Sequence, residues 1–140
     1  MRKFKYQTYL DQLKVPCPPV DYEERETIAY RWVFDPVVEN ESFLPQYFKN
    51  EERFVEADDI VKCNAIGLSF FISETTAKAK YGRFLERSKK LARSLGTHLA
   101  SGTLKKEMGV NGLANEKGHF TFHPYIDAQL HKYFRIICEL

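Results

Sequence analysis

The run Asn64-Ala-Ile-Gly-Leu-Ser-Phe-Phe-Ile-Ser73, continued by a basic amphipathic segment to Leu95, restricts the folds open to this chain more than any other stretch. Ala65, Ile66, Leu68, Phe70, Phe71 and Ile72 form a nearly continuous apolar run, which predicts a short strand buried on both faces. Ser73 then predicts an N-cap, with Glu74 in the first turn where its charge favours the positive end of the helix dipole. Ala77, Tyr81, Phe84, Leu85, Ser88, Leu91, Ala92 and Leu95 recur at helical spacing, and Gly96 stands at the expected stop. The reading is one buried strand feeding one helix over 74–95, about six turns long, with Tyr81, Phe84, Leu85 and Leu91 in the core.

Other stretches supply partners for that unit. Tyr6, Tyr9, Leu10 and Leu13 lie on one stripe of a short N-terminal helix, which Pro16, Pro18 and Pro19 end in an extended connection. Thr27 to Phe34 alternates Ile28, Tyr30, Trp32 and Phe34 against Ala29, Arg31 and Val33, a strand pattern that sets Arg31 opposite the aromatics. Asp35-Pro36 stops it, and an acidic connection with a helical turn or two follows to about Asp59, anchored by Phe43, Leu44, Tyr47, Phe48 and Phe54. Further strands are expected over 97–104, 118–125 and 133–138, with glycine-rich turn signals over 109–118. The fold expected is α+β: a single domain over 1–140, a mostly antiparallel sheet, the helix 74–95 packed on it and a short helix at the N-terminus.

Composition narrows the class of protein. With 140 residues, 44% of them hydrophobic and 14% aromatic, the chain can bury one core. No apolar stretch approaches the roughly 20 residues of a membrane span, and no secretory apolar region follows Met1-Arg-Lys-Phe-Lys-Tyr, so a cytoplasmic protein without a membrane partner is expected. Cys17, Cys63 and Cys138 are odd in number and widely spaced, and read as reduced core thiols rather than as a disulfide framework or a metal site. The net charge of +2 conceals an asymmetry. Residues 21–60 hold 12 acidic and 4 basic side chains, and residues 61–106 hold 10 basic and 2 acidic. The two regions either screen each other across the fold or leave a dipolar surface for an anionic ligand or an acidic protein partner.

The histidines and the helix charges bound the chemistry. His119 and His123 on one strand face are about 13 Å apart at 3.3 Å per residue, too far to share one ion, so no metal is expected. Lys78, Lys80, Arg83, Arg87, Lys89, Lys90 and Arg93 cover the outside of the helix, while its aromatics Tyr81 and Phe84 lie on the apolar face. That arrangement favours a solvated face over a nucleic-acid reader.

Three features in order resemble the ADP-ribosyltransferase superfamily: Tyr30-Arg31 on an early strand, Leu68-Ser-Phe-Phe-Ile-Ser-x-x-x-Ala77 running from strand into helix, and a late strand with a proline turn before a closing strand. The resemblance spans residues 28–138. It implies an α+β domain binding NAD or a related nucleotide, with Tyr30, Arg31, Ser69 and His123 at the cofactor and His119 and Thr121 where catalytic groups would stand. The family's late-strand glutamate, which stabilises the oxocarbenium ion, has no counterpart in Gly118-His-Phe-Thr-Phe-His-Pro-Tyr125, so binding without transfer is among the expectations. The alternative is a non-catalytic interaction or adaptor module that uses the basic helix and the acidic segment.

Overall fold

Local patterning sets the strands, and the computed structural model, which describes residues 2–140, places them in one sheet. The alternating run forms Thr27–Val33 (β1), and the strands Leu68–Phe71 (β2), His98–Leu104 (β3), Gly109–Asn111 (β4), His119–Pro124 (β5) and Phe134–Glu139 (β6) join it. The sheet runs β4-β5-β2-β1-β3-β6, and every pairing is antiparallel. The helices are Gln7–Asp11 (α1), Glu39–Ser42 (α2), Gln46–Lys49 (α3), Asp59–Ile66 (α4), Glu74–Arg87 (α5) and Lys89–Leu95 (α6). The protein is therefore α+β with a six-stranded antiparallel sheet. β4 lies in the stretch read as turns; backbone bridges to Glu23 and Pro124 hold it at the sheet edge.

Alternation along the strands divides the apolar side chains between two faces. On one face Ala29, Val33, Leu68, Phe70, Ala100, Leu104, Phe120, Phe122 and Phe134 pack with Phe43, Met108 and Leu130 into the main core. On the other, Phe71 and Leu99 pack with Ala77 of α5, and Tyr30, Trp32, Cys138 and Leu140 border them. Trp32 locks this second layer. Its Nε1 donates to the Ala77 carbonyl at 3.1 Å, and its ring meets Phe71 at 5.3 Å and Tyr81 at 5.4 Å between centroids.

Two elements depart from expectation, each because of a cap. Asp58 accepts a hydrogen bond from the Val61 amide at 2.9 Å, which starts α4 and draws Asn64, Ala65 and Ile66 into a helix rather than a strand. Only four residues remain for β2, with Ser69 exposed between Leu68 and Phe70. The single helix over 74–95 is two helices. Ser73 caps α5 through the Thr76 amide as expected. Ser88 has extended backbone (φ −169°, ψ 119°), and its Oγ accepts from the Leu91 amide at 3.1 Å, ending α5 and starting α6. The break swings the apolar stripe out of register. Ala77, Tyr81 and Ala92 are buried, whereas Leu85 and Leu91 are 42% and 36% exposed, and Phe84 borders a cavity. Leu85 and Leu91 are thus surface residues and not core. No helix is long and apolar enough to cross a membrane among the described residues.

The cysteines also differ from expectation. Cys17 and Cys63 form a disulfide, 46 residues apart in sequence, which ties the proline-rich connection after α1 to α4; Cys138 alone is free. Wide spacing hid the pair, because only the return of α4 beside the N-terminal segment brings the two side chains together.

Candidate functional site

β1 and β2 share a single ladder pair, Tyr30 with Phe71, whereas β1 and β3 pair over seven residues and β2 and β5 over four. Past Tyr30 the two central strands part, and the Arg31 side chain occupies the opening. It alternates onto the main-core face, where its guanidinium lies 5.5 Å from the centre of the Phe70 ring and 5.7 Å from that of Phe43. Nε donates to the Ser42 carbonyl at 2.8 Å and Nη1 to the Ser69 carbonyl at 2.6 Å. That leaves part of the five-donor fork unused. No carboxylate forms an ion pair with it among the described residues. Burial pushes its pKa down to about 10, with the charge of Glu39 acting the other way, so Arg31 remains cationic at neutral pH.

The opening leads into a cavity of about 580 Å³, within the range of about 300–1,000 Å³ usual for small-ligand sites. Its floor is the second face of the sheet: Trp32, Ser69, Phe71, His119 and Thr121, with Gly67 at the entry to β2. Ser69 and Thr121 are direct cross-strand partners, as are Phe71 and His119. One wall comes from α5 and α6, with Lys80, Phe84, Arg87 and Leu91; the other comes from α3, α4 and the turn between them, with Lys49, Arg53 and Asn64. The cationic groups on this lining are Arg31, Lys49, Arg53, Lys80 and Arg87, and no Asp or Glu is among the lining residues.

Glycines keep the floor open. A Cβ at Gly67 would stand 2.5 Å from Thr121 Cγ2 and 3.0 Å from His123 Nε2, so a side chain there would displace β5. Gly118 turns the chain into β5 at φ +76°, a region that L side chains rarely adopt. Asn115 Oδ1 accepts from the Lys117 and His119 amides and fixes the start of the strand. His119 then meets Phe71 edge-on at 5.6 Å between ring centres.

The cations act on one another's protonation. Lys49 stands at the mouth of the cavity; its partial enclosure, followed by the charge of Arg31, pushes its pKa down to about 8. Burial lowers the His119 pKa below 6.5, and Lys80 and Arg31 lower it further, so this imidazole is neutral at pH 7. A neutral imidazole, two hydroxyls and a set of cations can hydrogen-bond and neutralise phosphate oxygens. The lining holds no carboxylate of the kind that stabilises a developing oxocarbenium ion.

Of the six residues singled out in the sequence, Arg31, Ser69, His119 and Thr121 come together on this cavity. Tyr30 does not; it packs against Phe71, Ala77 and Leu99 under α5. His123 does not either: it is 2% exposed and turned toward Cys63. Lys49 and Arg53, which the sequence showed only as rare bases in an acidic segment, complete the site opposite Lys80 and Arg87, which read as a solvated face. The acidic and basic regions do not screen each other through close contacts, since no ion pair among the described residues joins 21–60 to 61–106.

Fold and site together define the protein in physical terms, as an antiparallel α+β domain whose parted central strands open into a cationic cleft with an aromatic floor. No family model matches the chain, and no curated protein or solved structure matches it.

Proposed function

We propose that the cleft binds NAD or a related nucleotide, in the manner of an ADP-ribosyltransferase-like domain that holds its ligand without transferring it. The observation that carries this reading is the lining itself: Arg31, Lys49, Arg53, Lys80 and Arg87 converge without a carboxylate on a cavity floored by Trp32 and Phe71 and bordered by Phe84. Convergent cations suit phosphates and an aromatic lining suits a base, and a dinucleotide or nucleoside phosphate presents both at once. Ser69 and Thr121 supply hydroxyls for a ribose. The ligand is then a free cytoplasmic nucleotide.

Calorimetry with NAD, ADP-ribose and a nucleoside monophosphate tests this. Binding is expected for the wild type, and a loss of tenfold or more for Arg31→Ala and, from the opposite wall, for the double variant Lys80→Glu with Arg87→Glu. If none of the three binds at millimolar concentration, the nucleotide reading fails. An adaptor that recognises an acidic protein then takes its place, supported by the basic face of α5, where Lys80, Arg83 and Arg87 have no ion-pair partner among the described residues. In that case the triple reversal of Lys80, Arg83 and Arg87 to Glu removes a co-purifying partner.

A further inference from the structure

We propose that Cys17, Cys63 and His123 form a zinc site that takes the place of the Cys17–Cys63 disulfide when that bond is reduced. The two sulfurs and one nitrogen already lie within 4.8 Å of one another. Zinc bonds of about 2.3 Å to sulfur and 2.0–2.1 Å to nitrogen set tetrahedral ligand atoms about 3.5–3.8 Å apart, so side-chain adjustments on the order of an ångström complete the geometry. The site borders the cationic cleft at Asn64 and Gly67 but shares none of its three ligands with it.

His123 supplies a second observation. It is 2% exposed, yet its one hydrogen-bond contact among the described residues is Cys63 Sγ at 4.0 Å, long even for sulfur. A buried imidazole with no nitrogen or oxygen partner is costly to retain, and here its Nε2 faces the sulfurs. Gly67 leaves that edge clear, since a Cβ there would come within 3.0 Å of Nε2. Charge also closes. Two thiolates and one divalent zinc are neutral together, which suits a site this buried. The disulfide ties the connection after α1 to α4; the metal would tie both to β5 as well. Cys63 also lines a second cavity, of about 390 Å³, beside Asp21 and Asn64, from which water can reach the fourth zinc position.

The exchange balances. A dithiol reductant delivers two electrons and two protons and becomes a disulfide, while Cys17 and Cys63 become thiols. Zinc then displaces the two thiol protons and forms two Zn–S bonds and one Zn–N bond, with the imidazole nitrogen giving its lone pair.

The test uses the full chain carrying Cys138→Ala, reduced anaerobically with a phosphine, which takes oxygen from water and becomes the phosphine oxide. Cobalt(II) is the probe. One equivalent is expected to bind with a thiolate-to-cobalt charge-transfer band and the intense visible bands of four-coordination, and one equivalent of zinc is expected to displace it. The oxidised chain is expected to bind none. His123→Gln should weaken cobalt binding at least tenfold and alter the visible bands, and Cys17→Ala, placed outside the sheet, should diminish the charge-transfer band. Absence of stoichiometric uptake by the reduced chain overturns the proposal, as does a His123→Gln spectrum and affinity equal to the parent's. A chain that unfolds on reduction and is not refolded by zinc overturns it too.

Discussion

Lys49 and Arg31 share one cavity, and the charge of the buried arginine is part of what lowers the lysine. The consequence for binding follows from sign. A lysine with a pKa of about 8 is mostly protonated at pH 7 and mostly neutral at pH 9, where an ordinary lysine would still be charged. An anion in the cleft favours the protonated form, so binding near pH 8 should take up protons, and affinity should fall as pH rises from 7 to 9. Titration of ADP-ribose binding across that range checks this, and Lys49→Arg, which stays charged throughout, should flatten the fall. An affinity independent of pH in the wild type would remove Lys49 from the site. His119 is already neutral over this range and adds nothing to the slope.

Among the elements, the α5–α6 pair shows how one capping side chain redirects a helix. Ser88 offers its hydroxyl to the Leu91 amide, and the chain leaves α5 in extended conformation before resuming. Tyr81 then reaches from α5 to the Gly96 carbonyl at 2.8 Å and holds the far end of α6 against the sheet. Ser88→Ala should cost about 1 kcal/mol of stability, the usual worth of an N-cap, measured by urea denaturation. Two phenylalanines separate core from cleft. Phe70 is fully buried, and Phe70→Ala should cost about 3–5 kcal/mol. Phe84 is part-buried and one side of it borders open volume, so Phe84→Ala should cost less, about 2 kcal/mol, because the truncation opens no closed cavity. Equal losses for the two would place Phe84 in the core after all.

For the whole molecule, the disulfide closes a loop of 46 residues that contains β1, α2, α3 and most of α4. Loop-closure entropy for that length is worth about 4 kcal/mol, so reduction with a chelator present should lower the urea midpoint by a corresponding amount; a shift worth less than about 1 kcal/mol would show that packing alone holds α4. Chain-wide, the sequence by itself determined the class of fold and four of the strands. The alternation of Ile28, Tyr30 and Trp32 against Ala29, Arg31 and Val33, and its counterparts over 97–104 and 118–125, depend on neighbours two residues apart, and the run 133–138 carries β composition alone. The Ser73 cap and the burial of Ala77 and Tyr81 were equally local. The caps at Asp58 and Ser88 emerge only in the structure, where one draws the head of the 64–72 run into α4 and the other breaks the 77–95 stripe. Arg31, Ser69, His119 and Thr121 could be named from their types and their strands. Only the tertiary structure decided that they share a cavity with Lys49, Arg53, Lys80 and Arg87, that Tyr30 and His123 do not, and that Cys17 meets Cys63. Those meetings join residues tens of positions apart, and they are set by which strands pair, where β1 and β2 part, and how the chain after Asp35 folds back over the sheet. No window of local sequence holds that information, because it resides in the closure of long loops and in the register between strands.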